Sequence, residues 1–587
     1  MTQKQTKKKW ILVPVFSVLF IAALLSCLAL SDFFTRRLFQ RLTQTIFQKE
    51  VTSSTLTLHY TLKNPQTFGI TEVPTRYQST DEQNILTHHY LTLLTDLDSD
   101  ALSRSDQITY DSLLFLLNQT QNLSQYEYYF EPLGATIGIQ AQLPILLCEY
   151  RFESATDIRT YLQLLSTTDQ YFSSLLAYER QKAARGLFMP SVCADGIIKQ
   201  CRAFSELPLS EHLLITVFRQ KVASAAFLSP EEKQDFLLEN RQIVQQHVIP
   251  AYQLLVHGLN DLKKYCRNEM GLSHLPKGRS YYEALLQSSS GSALSVCSVQ
   301  KRIQHQLQED ASACRQILKQ YPSVSEFSSE QFPELFSESP DNMLSDLRQK
   351  MTADFPAIPD TDYELKYVDA SLSPYLSPAF YLTAPVDDPD LNLIYLNPKS
   401  GCTGLELYTT LAHEGFPGHL YQNRYSGSFL SPLRSLLSFG GYTEGWATYV
   451  EMLSYDYAAK DCSKEVSAAI SLAQKQRSML LGLSSLIDIL VHYHGFTKDD
   501  IESFLQNLGV SGTAAADSIY NAVLESPANY LKYYLGYLTF LDLRQWCQKN
   551  WPDQYQLSTF HQYVLEIGPC PFPVLEKYLK LCYTNAL

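Results

Sequence analysis

Residues 413–419 read HEGFPGH and residues 444–451 read EGWATYVE, and these two stretches are the centre of the chain. The first contains two histidines and a glutamate, and the second has a glutamate at each end. Imidazole nitrogens and carboxylate oxygens are the ligands of hydrolytic zinc sites, which keep one coordination position open. The two stretches therefore predict a catalytic Zn²⁺ site.

The spacing of the two histidines is unusual for a zinc site on a helix. The common pattern H-E-x-x-H places its histidines four residues apart, about 400° around a helix, so that both face one ion. His413 and His419 are six residues apart, and about 600° of rotation leaves them on different faces of a regular helix. Pro417 and Gly418 lie between them, and a proline interrupts a helix. We therefore predict a break there that brings His419 back beside His413.

The second stretch supplies two further carboxylates. Glu444, Thr448 and Glu451 have the spacing of one helical face, and the residues around Trp446 are apolar enough to predict burial. Because buried carboxylates need partners, we predict Glu444 as the third zinc ligand and Glu451 as the group that orients a ligand imidazole. Glu414 is the predicted general base, which accepts the proton of a water molecule whose pKa a zinc ion lowers.

Two more groups are candidates for the surroundings of the metal. Asp488 and His492 are four residues apart on a predicted helix, so the carboxylate could fix the imidazole. His492 could then donate a hydrogen bond to the oxyanion or bind a substrate carboxylate. Tyr533 is a candidate oxyanion donor, although tyrosines at helical spacing more often serve packing.

The pattern along the chain predicts a mainly α fold with a small sheet beside the metal-site helix. Apolar residues recur at helical spacing over four long ranges, 84–117, 157–186, 230–267 and 300–320. Short aromatic and β-branched segments predict three strands, at 363–369, 380–384 and 393–397. An edge strand there could pair with an extended peptide. Residues 403–406 read as a capping box at the start of the metal-site helix.

The first 30 residues predict a targeting segment. Four lysines precede an uncharged run from Trp10 to Leu30. Residues 24–27 read LLSC and resemble a bacterial lipoprotein cleavage site, so a lipid on Cys27 and an uncleaved single-span anchor are the two alternatives. In either case we expect residues 31–587 to form one large extracytoplasmic domain. A subdivision near 288–345 is possible and would leave residues 346–587 as the catalytic half.

Composition narrows the classes of partner and site. The net charge of −13 argues against nucleic acid as a ligand. The 12 cysteines include no C-x-x-C pair, which argues against a thiolate zinc site. Disulfides and buried free thiols are both open for three cysteine pairs, namely Cys193 with Cys201, Cys297 with Cys314, and Cys570 with Cys582. The sequence contains no G-x-S-x-G and no P-loop motif.

These motifs resemble a family of bacterial proteins catalogued as "domain of unknown function 885". The family patterns H-E-x-x-P-G-H and E-G-W-A-x-Y-x-E are met at 413–419 and 444–451. Softer matches include Asp488, His492 and Tyr533, and Leu420 departs from a histidine found in many members. The resemblance covers most of the chain after the N-terminal segment. It implies a mostly helical fold with an internal cleft, one zinc ion and a distant relation to the gluzincin metallopeptidases.

Three hypotheses for the function follow. The first is a membrane-anchored extracytoplasmic zinc metallopeptidase that hydrolyses peptide bonds, with Glu414 as general base. The second is a zinc-dependent hydrolase of another small amide or of a cell-wall amide. The third is a surface lipoprotein that binds a ligand without catalysis. The presence of Glu414 argues against the third, since a structural metal site needs no base.

Overall fold

A computed structural model of the chain describes residues 30–78, 83–326, 338–368, 376–509 and 513–585, together with Phe336 and Ser373. The targeting segment predicted at residues 1–30 lies outside these residues, except for its last position. Within the described ranges, no helix is both long enough and apolar enough to cross a membrane.

Helices account for most of the described chain, so the predicted mainly α fold is confirmed. The first eleven are α1 (30–51), α2 (Thr55–Thr61), α3 (Gln83–Thr95), α4 (Arg104–Leu123), α5 (Ile139–Glu149), α6 (Ala155–Leu165), α7 (Thr168–Ala184), α8 (Ser191–Ser205), α9 (Leu213–Ser224), α10 (Pro230–Ile243) and α11 (Ile249–Leu262). Three further helices and a sheet follow: α12 (Gly278–Ser290), α13 (Val296–Gln320), α14 (Pro340–Lys350), β1 (Glu364–Tyr367), β2 (Ala379–Leu382) and β3 (Leu393–Leu396). The last ten are α15 (Gly404–Glu414), α16 (His419–Ser426), α17 (Pro432–Leu436), α18 (Gly440–Ala459), α19 (Lys464–Ile489), α20 (Lys498–Asn507), α21 (Thr513–Glu525), α22 (Asn529–Asn550), α23 (Leu557–Ile567) and α24 (Phe572–Asn585).

The starts of two helices show how far local sequence decides a cap. At α10, the Ser229 hydroxyl accepts a hydrogen bond from the backbone of Glu232, whose side chain accepts one from the backbone of Ser229. α15 begins where predicted, but the Thr403 side chain makes no capping hydrogen bond. The capping box predicted there is wrong because Gly404 takes a φ of 59°, which departs from the first-turn geometry that such a box needs.

Buried apolar side chains form two main cores. The first lies among α5 to α11 and includes Tyr161 and Tyr252. The second is built mainly from α12 to α24 and contains Trp446 at its centre. The N-terminal core ends at Leu262, whereas Tyr282 of α12 already packs in the C-terminal core. The subdivision near 288–345 stays a prediction.

The cysteines follow the free-thiol alternative. All eleven cysteines among the described residues are free, which decides between the two alternatives for the three pairs. Cys193 and Cys201 lie on the same helix, α8, and eight residues of helix separate two Cα atoms by about 12 Å. A disulfide needs Cα atoms about 6 Å apart. Cys297 and Cys314 are likewise spread along one helix, α13.

The three strands form the small sheet that the sequence predicts. Their order is β1-β3-β2, with β1 parallel and β2 antiparallel to β3. β2 is therefore an edge strand. Its free edge faces the end of α15, where the backbone N–H of Tyr381 donates a 2.9 Å hydrogen bond to Oε2 of Glu414. The sheet thus lies directly beside the predicted general base.

Two cavities separate the N-terminal helices from the C-terminal core. The β2 cavity, of about 540 Å³, lies between α2, α5 and residues 381–384. The α22 cavity, of about 360 Å³, is lined by the chain before α5, by α12 and by the first turn of α22. Ile139 at the start of α5 lines both cavities. The internal cleft that the family resemblance implies stays a prediction.

Candidate metal centre

The helix that carries His413 is interrupted where the sequence predicts. α15 ends at Glu414 and α16 begins at His419. Between them, a Cβ atom on Gly418 would lie only 1.8 Å from the carbonyl oxygen of His413. Only glycine permits so close an approach of two backbone segments. The indole N–H of Trp446 donates a 3.0 Å hydrogen bond to the carbonyl just before Gly418 and holds the turn against α18. The predicted break is therefore confirmed.

The break brings three potential metal ligands together. Nε2 of His413 lies 3.7 Å from Oε2 of Glu444, and Nε2 of His419 lies 3.5 Å from the same oxygen. The two imidazole centroids are 4.9 Å apart. We call His413, His419 and Glu444 the metal-ligand trio. In the described part of the chain, it is the one group of three such side chains whose ligand atoms all lie within 4.8 Å of one another.

A chain of two hydrogen bonds supports the trio from behind. Nδ1 of His413 lies 3.0 Å from Oε2 of Glu451, and Oε1 of Glu451 accepts a 2.8 Å hydrogen bond from Nε of Arg477. A bond on Nδ1 leaves Nε2 of His413 facing the trio, which is the geometry predicted for Glu451. Arg477 on α19 was missed because it belongs to no motif. The one available signal is that a buried carboxylate needs a cationic partner.

Burial and these pairings shift the pKa values of the cluster. Burial acts to raise the pKa of Glu444, but hydrogen bonds from His413 and His419 outweigh burial and hold that pKa well below its usual range. Burial of Glu451 is likewise outweighed, chiefly by the charge of Arg477 and then by His413, and its pKa falls to about 2. Burial disfavours a charged His413, yet hydrogen bonds to Glu444 and Glu451 raise its pKa to about 10 in the metal-free protein. The ionised carboxylates of Glu444 and Glu451 therefore make this cluster attractive to a cation.

Glu414 differs from the other two glutamates in its pKa. Burial, the largest effect, raises the pKa of Glu414, and the nearby charges of His413 and His419 only partly oppose burial. The hydrogen bond from the backbone of Tyr381 fixes one of its carboxylate oxygens. A raised pKa makes a carboxylate a stronger base, as a general base requires. The Tyr381 contact was not predicted, since a backbone donor leaves no mark in the sequence.

Tyr533 of α22 lies beside the metal-ligand trio. Its ring centroid is 6.4 Å from that of His413. This closeness is possible because α18 and α22 meet at two glycines, where a Cβ on Gly445 would lie 2.5 Å from Cα of Gly536. Burial, followed by the charges of Glu444 and other neighbours, holds the pKa of Tyr533 far above its usual value. The phenol therefore keeps its proton and can act as a hydrogen-bond donor.

Asp488 and His492 are both buried, but they do not pair with each other. Nδ1 of His492 accepts a 3.1 Å hydrogen bond from the backbone N–H of Leu272, and Nε2 donates a 2.8 Å bond to a carbonyl of α21. Asp488 accepts hydrogen bonds from the Tyr282 hydroxyl and from the backbone N–H of Ala528. The prediction that Asp488 orients His492 toward substrate is wrong, because backbone groups already bind both imidazole nitrogens.

Comparison with known proteins places the chain in a family. The sequence profile described as "Bacterial protein of unknown function (DUF885)" matches residues 74–579. The chain belongs to the DUF885 family. This confirms the family resemblance seen in the sequence. No curated protein sequence matches the chain.

Two solved structures share the fold of this DUF885 chain. A protein from Colwellia psychrerythraea superposes with a TM-score of 0.80 at 20% identity and covers 94% of this chain and 99% of its own. A protein from Shewanella oneidensis gives a TM-score of 0.62 at 15% identity and covers 92% and 99%. Each is described as a "putative lipoprotein", the second as one of unknown function. At these identities the likeness establishes a common fold.

Proposed function

We propose that this chain is a membrane-anchored extracytoplasmic zinc metallopeptidase. The observation that carries the proposal is the meeting of His413, His419 and Glu444 beside Glu414. Two imidazole nitrogens and one carboxylate oxygen form the protein ligand set of many hydrolytic zinc sites. The side chains of the trio are 12%, 16% and 23% exposed, so they are held by the core and remain partly open to solvent. When bound, a zinc ion lowers the pKa of water and polarises a carbonyl oxygen.

The remaining residues of the site take defined roles in this proposal. Glu451 holds His413 in the orientation that a ligand needs. Glu414 accepts a proton from the attacking water and later delivers it to the leaving amine. Tyr533 keeps its phenolic proton and donates a hydrogen bond to the oxygen on which negative charge develops.

The β2 edge favours a peptide among the possible amide substrates. The outward-facing backbone of this strand lies beside Glu414, and the β2 cavity adjoins residues 381–384 of the same edge. An extended peptide can add to such an edge through main-chain hydrogen bonds and thereby align one of its carbonyl groups. A small amide without an extended backbone would make fewer of these contacts.

The test compares zinc content and peptide cleavage in three proteins: wild type, Glu414→Gln and Glu406→Gln. Glu406 is exposed on the same helix, so Glu406→Gln is the matched control. We expect all three proteins to bind one zinc ion, and we expect Glu414→Gln to lose about 10²- to 10⁴-fold in cleavage rate. Products from a mixed peptide library are read by mass spectrometry.

Two other results would point to the alternative hypotheses. If all three proteins bind zinc and none cleaves any peptide or amide, the chain is a binding protein with a structural metal. If cleavage is confined to cell-wall amides, the second hypothesis replaces the first.

The anchor is the second part of the proposal. The four lysines, the apolar run and Cys27 support a lipoprotein, as does the description of the two solved relatives. Expression of the full chain in bacteria with labelled palmitate should give a labelled protein, and Cys27→Ala should abolish the label. A membrane-bound but unlabelled wild-type protein with an intact N-terminus would instead establish the single-span anchor.

A further inference from the structure

One side chain that lines the α22 cavity, Lys532, is next in sequence to Tyr533, whose ring lies beside the metal-ligand trio. Lys532 lines the cavity, and its ammonium lies 5.4 Å from the ring centroid of Tyr533. Its Cδ atom lies 3.3 Å from the position that a Cβ on Gly440 would take. Gly440 is one helical turn before Glu444 on α18. The Lys532 side chain therefore lies against the turn of α18 that precedes Glu444.

The charged side chains that line the α22 cavity differ in their partners. The ammonium of Lys182 contacts the carboxylates of Glu131 and Glu179. Glu525 accepts a 2.7 Å hydrogen bond from a backbone N–H before α5. Lys532 makes no hydrogen bond and no ion pair with any residue in the described ranges, and it is half-buried. A half-buried ammonium without a counter-ion is a ready partner for a ligand anion.

The rest of the cavity wall is largely apolar. Leu133, Met189 and Tyr281 contribute buried side chains from three different parts of the chain. The volume of about 360 Å³ is at the small end of ligand sites, which span about 300–1,000 Å³. The cavity therefore suits a compact group that combines an apolar body with one negative charge.

We propose that the α22 cavity binds the C-terminal residue of the peptide substrate. The Lys532 ammonium pairs with the α-carboxylate, and the apolar wall holds a large apolar side chain. This inference rests on the proposed function and makes the enzyme a carboxypeptidase. Water adds across the last peptide bond: its oxygen joins the carbonyl carbon, the C–N bond breaks, and the proton goes to the released amine. Lys532 thus takes the role of carboxylate anchor that the sequence predicted for His492.

The test separates binding from turnover. Zinc-loaded Glu414→Gln protein is titrated by calorimetry with three peptides that differ only at the C-terminus: one ends in Phe with a free carboxylate, the second is its amide, and the third is an amide that ends in Glu. The third carries its carboxylate on a side chain only. We expect the free acid to bind about 10- to 100-fold more tightly than either amide, as an ion pair with a half-buried ammonium predicts.

The variants assign this preference to Lys532. Adding Lys532→Met should bring the ratio of acid to amide affinity close to one, and Lys532→Arg should keep most of the preference. Lys549→Met is the matched control, because Lys549 is exposed at the other end of α22. It should bind like the parent protein. Thermal unfolding checks that each variant is folded.

The outcomes distinguish this inference from the proposed function. Equal affinity for acid and amide, a preference that survives Lys532→Met, or tight binding of the Glu amide would overturn the C-terminal assignment. If the wild-type protein cleaves internal peptide bonds whether the C-terminus is a free acid or an amide, the protein is a peptidase but the C-terminal subsite does not exist. If the protein prefers the free acid in a Lys532-dependent way but hydrolyses no peptide, the C-terminal subsite is supported and the proposed function is wrong.

Discussion

Two regions of the molecule place a histidine close to a carboxylate in the sequence, and the structure uses the two regions in opposite ways. At 413–451, side chains from α15, α16 and α18 face one another across a break in the chain. At 488–492, the two groups lie on a helix that continues without a break from α19 into a π-helical turn, Leu490–His494. Each group there is bonded to other segments. Spacing on one helix therefore places side chains on a face but does not select their partners.

The electrostatics of the two regions also differ. The first holds charges: the pKa of Glu451 is lowered to about 2, and that of His413 is raised to about 10. In the second, burial raises the pKa of Asp488 to about 7 and lowers that of His492 to about 4. Charged groups gathered around a cleft suit a cation, whereas a neutral buried histidine suits a scaffold.

The largest effect is expected from Gly418→Ala, which attacks the break itself. The added Cβ would lie 1.8 Å from one backbone oxygen and 2.4 Å from another, so α15 and α16 must separate. We expect zinc affinity to fall more than about 100-fold, beyond the loss typical of a supporting residue. The control is Gly134→Ala, whose Cβ meets no atom closer than 3.4 Å and whose φ is not in the left-handed region. Zinc affinity equal to that of wild type would show that the break is not needed to assemble the trio.

The second largest effect is expected from Glu451→Ala, which removes the hydrogen-bond partner of Nδ1 of His413. It leaves the imidazole without its 3.0 Å partner and Arg477 without its carboxylate. We expect zinc affinity to fall about 10- to 100-fold. Competition with a fluorescent zinc chelator measures the change. An unchanged affinity would mean that Glu451 does not orient the ligand.

Asp488→Ala makes the same kind of truncation in the second region and should leave zinc affinity as it is. The Tyr282 hydroxyl and the Ala528 N–H would lose their buried acceptor. We expect the free energy of unfolding to fall by about 2 to 5 kcal/mol for two unsatisfied donors. Denaturant unfolding and zinc titration of the same preparation check both parts. A clear loss of zinc affinity would place Asp488 in the metal site after all.

The last comparison involves no zinc and concerns the pH dependence of the stability of the metal-free protein. The folded-state pKa of His413 is raised from 6.5 to about 10, so its stabilisation is complete below pH 6.5 and is lost as the pH rises through about 10. The folded-state pKa of His492 is lowered from 6.5 to about 4, so stability falls as the pH drops from 6.5 to about 4. NMR titration of the imidazole signals after chelation should give these opposite shifts. Two histidines that both titrate near 6.5 would remove the contrast.

The sequence predicted what depends on local pattern. The helices, the three strands and the break at Pro417-Gly418 follow from periodicity, β-branched runs and proline chemistry. His413, His419, Glu444 and Glu451 were found because their motifs state both residue type and spacing. The fold class could be predicted for the same reason.

Two contacts at the site that the sequence did not predict join distant parts of the chain. Arg477 reaches Glu451, and the backbone of β2 reaches Glu414, without any sequence motif. The choice between disulfides and free thiols stayed open because sequence proximity does not report that two cysteines lie along one helix. The capping box predicted at 403–406 does not form because of the φ angle of Gly404. Tertiary packing decided the first two of these cases, and local backbone conformation decided the other two.

The central claim is that His413, His419 and Glu444 bind one metal ion. The most direct measurement is an anomalous difference map from a crystal grown with zinc, recorded on both sides of the zinc absorption edge. We expect one strong peak about 2.0–2.2 Å from Nε2 of each histidine and from a Glu444 carboxylate oxygen. A zinc peak at another place in the molecule, with the trio held together only by its own hydrogen bonds, would show that the trio does not bind the metal.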